Sequence, residues 1–199
     1  MESLEKTLAY IDGRVPVIMD CKRGDIGNTS RAYASAFFDQ MQVDAVTVHA
    51  YMGEDAVAPF LAYEGKTTYV MVKNSNPSAG TIQDQTLADG RKVYEMMAEL
   101  VGEWNAKYPG TCGAVVGATY PEDVKRVREL LPDVPLLIPG LGKQGGDAEN
   151  TIKNGLDKNG GGIVINSARG IIFASGGHDY AEIAREKAIA MNGLINSFR

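Results

Sequence analysis

At 199 residues, with 44% hydrophobic and 23% charged residues, the chain matches one sizeable globular core and falls outside the disordered and collagen-like classes. A formal net charge of -5 and a pI near 5.1, with no lysine or arginine cluster against that average, argue against a nucleic-acid surface. Cys21 and Cys112 are too few for a disulfide scaffold and lack zinc-type neighbours, and no signal-like start or long charge-free apolar run occurs. The reading is therefore a single domain over 1–199, reduced thiols, no membrane and a cytoplasmic location.

In chain order, Glu2 to Tyr10 has a helical pattern and Val15 to Asp20 is the first short apolar run. Further strands are expected at Ala45 to Val48, Thr68 to Lys73, Gly113 to Gly117, Pro135 to Ile138 and Gly162 to Asn166. Helices alternate with them at Ser30 to Gln40, Glu54 to Ala62, Asp84 to Lys107, Pro121 to Leu131 and Asp147 to Leu156, before a closing helix from Tyr180 to Asn196. Thr29 or Ser30 is placed to cap the first major helix, and Pro121, Glu122 and Asp123 suit a first turn. Val- and Ile-rich runs read as buried on both faces indicate parallel strands, in a doubly wound sheet or a closed barrel, which pattern alone does not separate. The chain enters this alternation at a helix preceding a strand, so an earlier strand is expected to be absent.

The first strand runs into charge: VPVIMDCKRGDIGNT carries Asp20, Lys22 and Asp25. Strand alternation puts Asp20 and Lys22 on one face and Cys21 on the other, with Asp25 on the loop beyond. Unpaired buried charge is costly, so the cluster is either an ion pair at a strand edge or a catalytic charge array, and this segment alone supports both. His49 and His178 lie far apart without a Ser or Cys signature nearby and are assigned packing or surface roles.

The fifth strand ends in PGLGKQGGD, where Gly140, Gly142, Gly145 and Gly146 permit close backbone approach and leave amides for an anion. Gly140, Gly142 and Gly145 match GxGxxG, but no acid follows about twenty residues on and no GK[ST] ending occurs, so neither a dinucleotide fingerprint nor a P-loop is present. A plain turn remains open for this loop. The next strand, in GGIVINSARGII, presents Arg169, whose guanidinium can fork onto phosphate oxygens. Neighbouring late loops are where a parallel eight-stranded barrel commonly holds phosphate. After Thr68 to Lys73, NSNPSAG offers Ser75, either as part of a capped turn or as a ligand contact.

Taken together, DCKRGDIGNT, VKNSNPSAG, VVGAT, PGLGKQGGD and NSARGII, in order from about Val15 to the end, resemble the orotidine 5'-phosphate decarboxylase family in its bacterial type 2 branch. The resemblance implies an α/β fold of the TIM (β/α)8-barrel type and decarboxylation of orotidine 5'-phosphate to UMP without metal or organic cofactor. It makes Lys22 the proton donor, Asp20 and Asp25 its charged companions and Ser75 a pyrimidine contact. It also gives Gln144 and Arg169 to the phosphate, and Ile26, Thr29, Pro139, Gly140 and Gly142 to the substrate-binding set. It further implies a homodimer in which Asp25, Ile26 and Thr29 reach the partner's site.

One departure stands out. The family barrel has two strands before the one ending in Asp20, carrying a ribose-contacting aspartate and an upstream lysine, whereas nineteen residues precede Asp20 here and Lys6 falls in the opening helix. About six strands and a truncated N-terminus are therefore expected, leaving the catalytic set incomplete. Two other readings are a sugar-phosphate decarboxylase or aldolase sharing Asp-x-Lys-x-x-Asp but normally using a metal, and a non-catalytic phosphate-ligand binder. The PGLGKQGG and NSARG loops favour the first reading over the sugar-phosphate one.

Overall fold

The computed structural model of the chain describes residues 1–141 and 145–199. α1 (Glu2–Ile11) precedes β1 (Ile18–Arg23); α2 (Gly27–Ser35) passes into a π-helical turn at Ala36–Gln40 and leads to β2 (Ala45–Val48); α3 (Glu54–Leu61) leads to β3 (Thr67–Lys73). The four-residue α4 (Gly80–Gln83) and long α5 (Val93–Lys107) are followed by β4 (Thr111–Val116), α6 (Pro121–Leu130), β5 (Leu136–Pro139) and α7 (Gly145–Gly155). β6 (Ile163–Asn166), the short α8 (Arg169–Ile172) and α9 (Tyr180–Asn196) complete the order. The strands follow one another as β1-β2-β3-β4-β5-β6. Parallel strands in sequential order with helical crossovers are the β/α-barrel plan; a doubly wound sheet would reverse its order at a switch point. No helix among the described residues is long and apolar enough to cross a membrane.

The chain resolves into two compact units, Met1–Met71 with Leu100–Gly113, and Val72–Glu99 with Ala114–Arg199, to both of which β3, α5 and β4 contribute. In the first unit β2 pairs in parallel with β3 from Ala45↔Thr67 to Val48↔Val70 and is buried along its whole length. α3 turns Ala56, Val57, Phe60 and Leu61 inward, the spacing of a single helical face, and burying a side chain such as Phe60 or Leu61 contributes about 1.5–3 kcal/mol. In the second unit β5 pairs with β6 from Leu136↔Ile163 to Pro139↔Asn166, and α6 and α7 supply Val124, Val127 and Ile152 to the core. Arg128 of α6 is buried there, its guanidinium donating to the carbonyls of Gly155 (2.8 Å), Leu131 (2.8 Å), Val134 (2.7 Å) and Gly162 (2.9 Å).

Several expectations are corrected. Burial on both faces holds for β2 to β5 but not for β1 or β6, the first and last strands in the order, where intermediate and exposed positions replace the buried run. The first strand begins at Ile18 rather than Val15 and carries Asp20 and Lys22 within it: Pro16 has no N–H, and Val17 is held by the Asp44 carboxylate (2.7 Å). The expected helix over Asp84 to Lys107 is broken by a turn in which Leu87 and Arg91 pair and the Asp89 carboxylate accepts the Arg91 N–H (3.0 Å). α5 then starts at Val93, with the Glu95 side chain reaching back to the Lys92 N–H (2.8 Å) as one half of a capping box. Thr29 and Ser30 lie inside α2, whose N-cap is Ile26, so neither caps it. Pro121, Glu122 and Asp123 do occupy the first turn of α6.

Candidate active site

The charge array is built by a distortion of β1. Ile18 pairs with Ala45 and Met19 with Val46, yet the next partner of β2, Val48, faces Arg23, so β1 takes four steps where β2 takes two. Within that bulge Lys22 adopts φ 45°, a left-handed conformation uncommon for a non-glycine residue and costing about 1–3 kcal/mol. Its N–H is satisfied by Thr47 Oγ1 (3.0 Å), and that hydroxyl donates in turn to Asp20 Oδ1 (2.8 Å). Lys22 Nζ lies 2.5 Å from the same Asp20 oxygen. Simple strand alternation thus gives the right neighbours for an incomplete reason; the bulge aims the ammonium.

Both partners are half open to water, with side-chain exposures of 51% for Lys22 and 59% for Asp20. Partial burial pushes the Asp20 carboxyl up, but the hydrogen bonds from Lys22 and Thr47 and the ammonium charge outweigh it and hold the carboxyl below its ordinary value. Cys21 donates to the Thr47 carbonyl (3.2 Å), its thiol raised by burial. Asp25 follows on the loop, half-buried, its N–H donating to Ser30 Oγ (3.2 Å) and its carboxylate accepting the Ile26 N–H (2.7 Å). Ser30 Oγ also donates to the Ala56 carbonyl (2.9 Å), fixing the start of α2. Ile26 is exposed and Thr29 half-buried. The first unit therefore brings Asp20 and Lys22 together through Thr47 and places Asp25 on the adjoining loop.

The second unit gathers the ends of β3 to β6. The Gly117 N–H donates to the Lys73 carbonyl (2.8 Å), Ala118 to Pro139 (2.9 Å) and Gly140 to Asn166 (3.3 Å), stitching successive strand ends together. Ser75 lies directly over Gly117: a Cβ there would collide with its Oγ and stand 3.0 Å from its backbone nitrogen, so only glycine fits. Gly140, the other loop glycine described, has φ 96°. Arg169 begins three residues beyond Asn166, exposed, and among the described residues its guanidinium has neither hydrogen bond nor ion pair. Pro139, Gly140, Ser75 and the root of the Arg169 loop thus lie on the same end of the second unit, whereas the expectations for Gly142 and Gln144 fall outside the described residues.

Sequence reasoning passed over Thr47, Lys73 and Gly117. Thr47 was visible as the one hydroxyl in the apolar AVTV strand, and Gly117 as the glycine closing VVGAT. Lys73 is a strand-end cation with 5% side-chain exposure, and its depth has no sequence signal. Among the described residues no group of three or more His, Cys, Asp or Glu is arranged to hold a metal ion.

Six parallel strands in sequential order joined by helices define a protein of the β/α-barrel class. Residues 3–184 match the model of the Orotidine 5'-phosphate decarboxylase / HUMPS family, and the chain belongs to that family. It is 48% identical over 202 residues to an orotidine 5'-phosphate decarboxylase of Azoarcus sp. (strain BH72), covering 100% of this chain and 74% of the relative. The corresponding protein of Ralstonia pickettii (strain 12J) is 46% identical, with coverages of 100% and 73%. Among solved structures, Leishmania donovani OMP decarboxylase superposes with a TM-score of 0.83 at 33% identity, over 98% of this chain and 74% of that one.

Proposed function

We propose that the chain supplies the Lys22–Asp20 part of a site that decarboxylates orotidine 5'-phosphate to UMP in pyrimidine nucleotide synthesis, in a cytoplasmic enzyme of one β/α-barrel domain. The observation that carries this reading is the Lys22 ammonium held at 2.5 Å from Asp20 by a bulged strand end, in a chain whose curated relatives, matched over all of this chain and 73–74% of their own length, are named for this reaction. Loss of CO2 breaks the bond between ring C6 and the carboxylate and leaves the bonding pair on C6, where no carbonyl delocalises it conventionally. Lys22 stabilises that charge as it develops and then gives C6 its proton, regaining one from solvent. This favours the transition state over the ground state, and the ammonium itself supplies what a metal or organic cofactor would otherwise provide. Asp20 places a second carboxylate beside that of the substrate. At about 4 Å the two repel by roughly 4 kcal/mol at an effective dielectric of about 20, about three decades in rate if relieved on CO2 departure.

Arg169, its guanidinium exposed and without an internal partner among the described residues, is assigned to the phosphate, with Gln144. Ser75 is assigned to the pyrimidine, and Pro139, Gly140 and Gly142 to the loop around the ligand. Asp25, Ile26 and Thr29 are assigned to the site of a second copy in a homodimer. The 61%, 85% and 48% exposures of Ile26, Tyr51 and Met52, all in the first unit, support an apolar contact surface. Calorimetric titration with UMP tests the ligand assignment: the native chain binds, and Arg169→Ala weakens binding about tenfold or more, the scale of a lost charged hydrogen bond. Equal affinity in the two would remove Arg169 from the phosphate.

A further inference from the structure

We propose that Lys73 is a positioning residue, its buried ammonium fixing the loop that offers Ser75 to the pyrimidine; this rests on the ring contact assigned to Ser75 above. Lys73 ends β3 with only 5% of its side chain exposed. Its Nζ lies 2.5 Å from Asp84 Oδ1, 3.9 Å from Asp123 Oδ2 and 5.2 Å from the centre of the Tyr94 ring. Burying a lysine this deeply is costly unless it is paired, and the pairing found here serves a loop.

Asp84 is the residue immediately after α4, the helix that receives the Asn74–Ala79 segment, so the ion pair joins the loop's entry to its exit. A second bond runs beside it, from the Asn74 N–H to Gln83 Oε1 (3.0 Å), and Asn76 donates to Asn74 Oδ1 (3.0 Å) within the loop. The fit is close: a Cβ on Gly80 would stand 2.7 Å from Asp84 Oδ2. At 2.5 Å against 3.9 Å Asp84 is the principal partner, and the hydrogen bond from Lys73 holds its carboxyl below the ordinary value while burial pushes that of Asp123 up. On the opposite side the Lys73 carbonyl accepts the Gly117 N–H (2.8 Å), and Gly117 is the surface on which Ser75 rests. A single residue therefore ties the loop at both sides: by its carbonyl to the platform under Ser75, and by its ammonium to the far end.

The test compares native chain, Lys73→Met, Lys73→Arg, Ser75→Ala and the Lys73→Met/Ser75→Ala double variant for binding of UMP and of ribose 5-phosphate. Lys73→Met is expected to weaken UMP by about the same factor as Ser75→Ala, near tenfold, and to leave ribose 5-phosphate unchanged. The double variant should be no weaker than Ser75→Ala alone, and Lys73→Arg should recover most of the loss. Native UMP affinity in Lys73→Met, additive losses, or an equal loss for ribose 5-phosphate would overturn the proposal. Amide exchange over Asn74–Gly80 in Asp84→Asn gives a readout needing neither nucleotide binding nor a folded Lys73→Met. Faster exchange confined to that segment is expected, and unchanged exchange overturns the positioning role. If the native chain bound no UMP while Asp84→Asn loosened the loop, the ring assignment would fall and the strut would stand.

Discussion

Lys22 meets Asp20 at 2.5 Å because β1 bulges, its Lys22 backbone turning to φ 45° while the Thr47 hydroxyl ties the Lys22 N–H and the Asp20 carboxylate together. The strain at Lys22 and the pairing at Asp20 are two sides of one arrangement, and Thr47 is its hinge.

Replacing Thr47 with Val removes the hydroxyl that serves both groups and is nearly isosteric. Asp20 has a depressed folded value, so its charged form is in place above the ordinary carboxylate range and is lost as pH falls through the lowered value. Without the Thr47 bond that value rises, so the acid limb of the pH–rate profile should move upward and kcat should fall about tenfold. An unmoved limb would show that Thr47 does not tune Asp20.

Gly117→Ala places a methyl group against Ser75 Oγ, at 3.2 Å from Ser75 Cβ. Ser75 must move away, and UMP affinity measured by calorimetry should drop about tenfold or more while ribose 5-phosphate binding holds. Equal losses for both ligands would mean general damage instead.

Arg128→Lys keeps the charge and loses the planar fork that reaches the carbonyls of Gly155, Leu131, Val134 and Gly162. Arg128 is 8% exposed and Leu131, Val134 and Gly155 are themselves buried, so the abandoned carbonyls have little water to turn to, and a loss of about 3 kcal/mol is expected in urea unfolding. A midpoint unchanged from native would refute the clasp.

Much of this was legible in the letters. The sequential strand–helix alternation came from apolar runs punctuated by turns, and Asp20 and Lys22 were identifiable because charge at the end of an apolar strand is conspicuous. Most of what escaped was set by tertiary contacts. Strand period two does not announce a bulge, so the αL turn at Lys22 was invisible. Asp89-Gly90 was a turn signal in the letters that the helix expected over Asp84 to Lys107 ran through; Gly90 takes φ 90° there, and Leu87 pairs with Arg91. Lys73 reads as an ordinary solvated strand end, because the Asp84 that buries it lies eleven residues on, past a turn.

Mixing two inactive variants tests the assignment of Asp25 to a second copy. Lys22→Ala combined with Asp25→Asn should regain about a quarter of native turnover on mixing, because one hybrid site in a random dimer holds both native groups. No recovery in mixtures shown by native mass spectrometry to contain hybrid dimers would place Asp25 within its own chain's site.

The most direct measurement is turnover of orotidine 5'-phosphate by the native chain and by Lys22→Ala, with UMP affinity determined on the same samples. Native decarboxylation that a metal chelator leaves intact is expected, with a Lys22→Ala rate at least about a thousandfold lower and UMP affinity within a few-fold of native. Turnover that survives the loss of Lys22 would contradict this expectation.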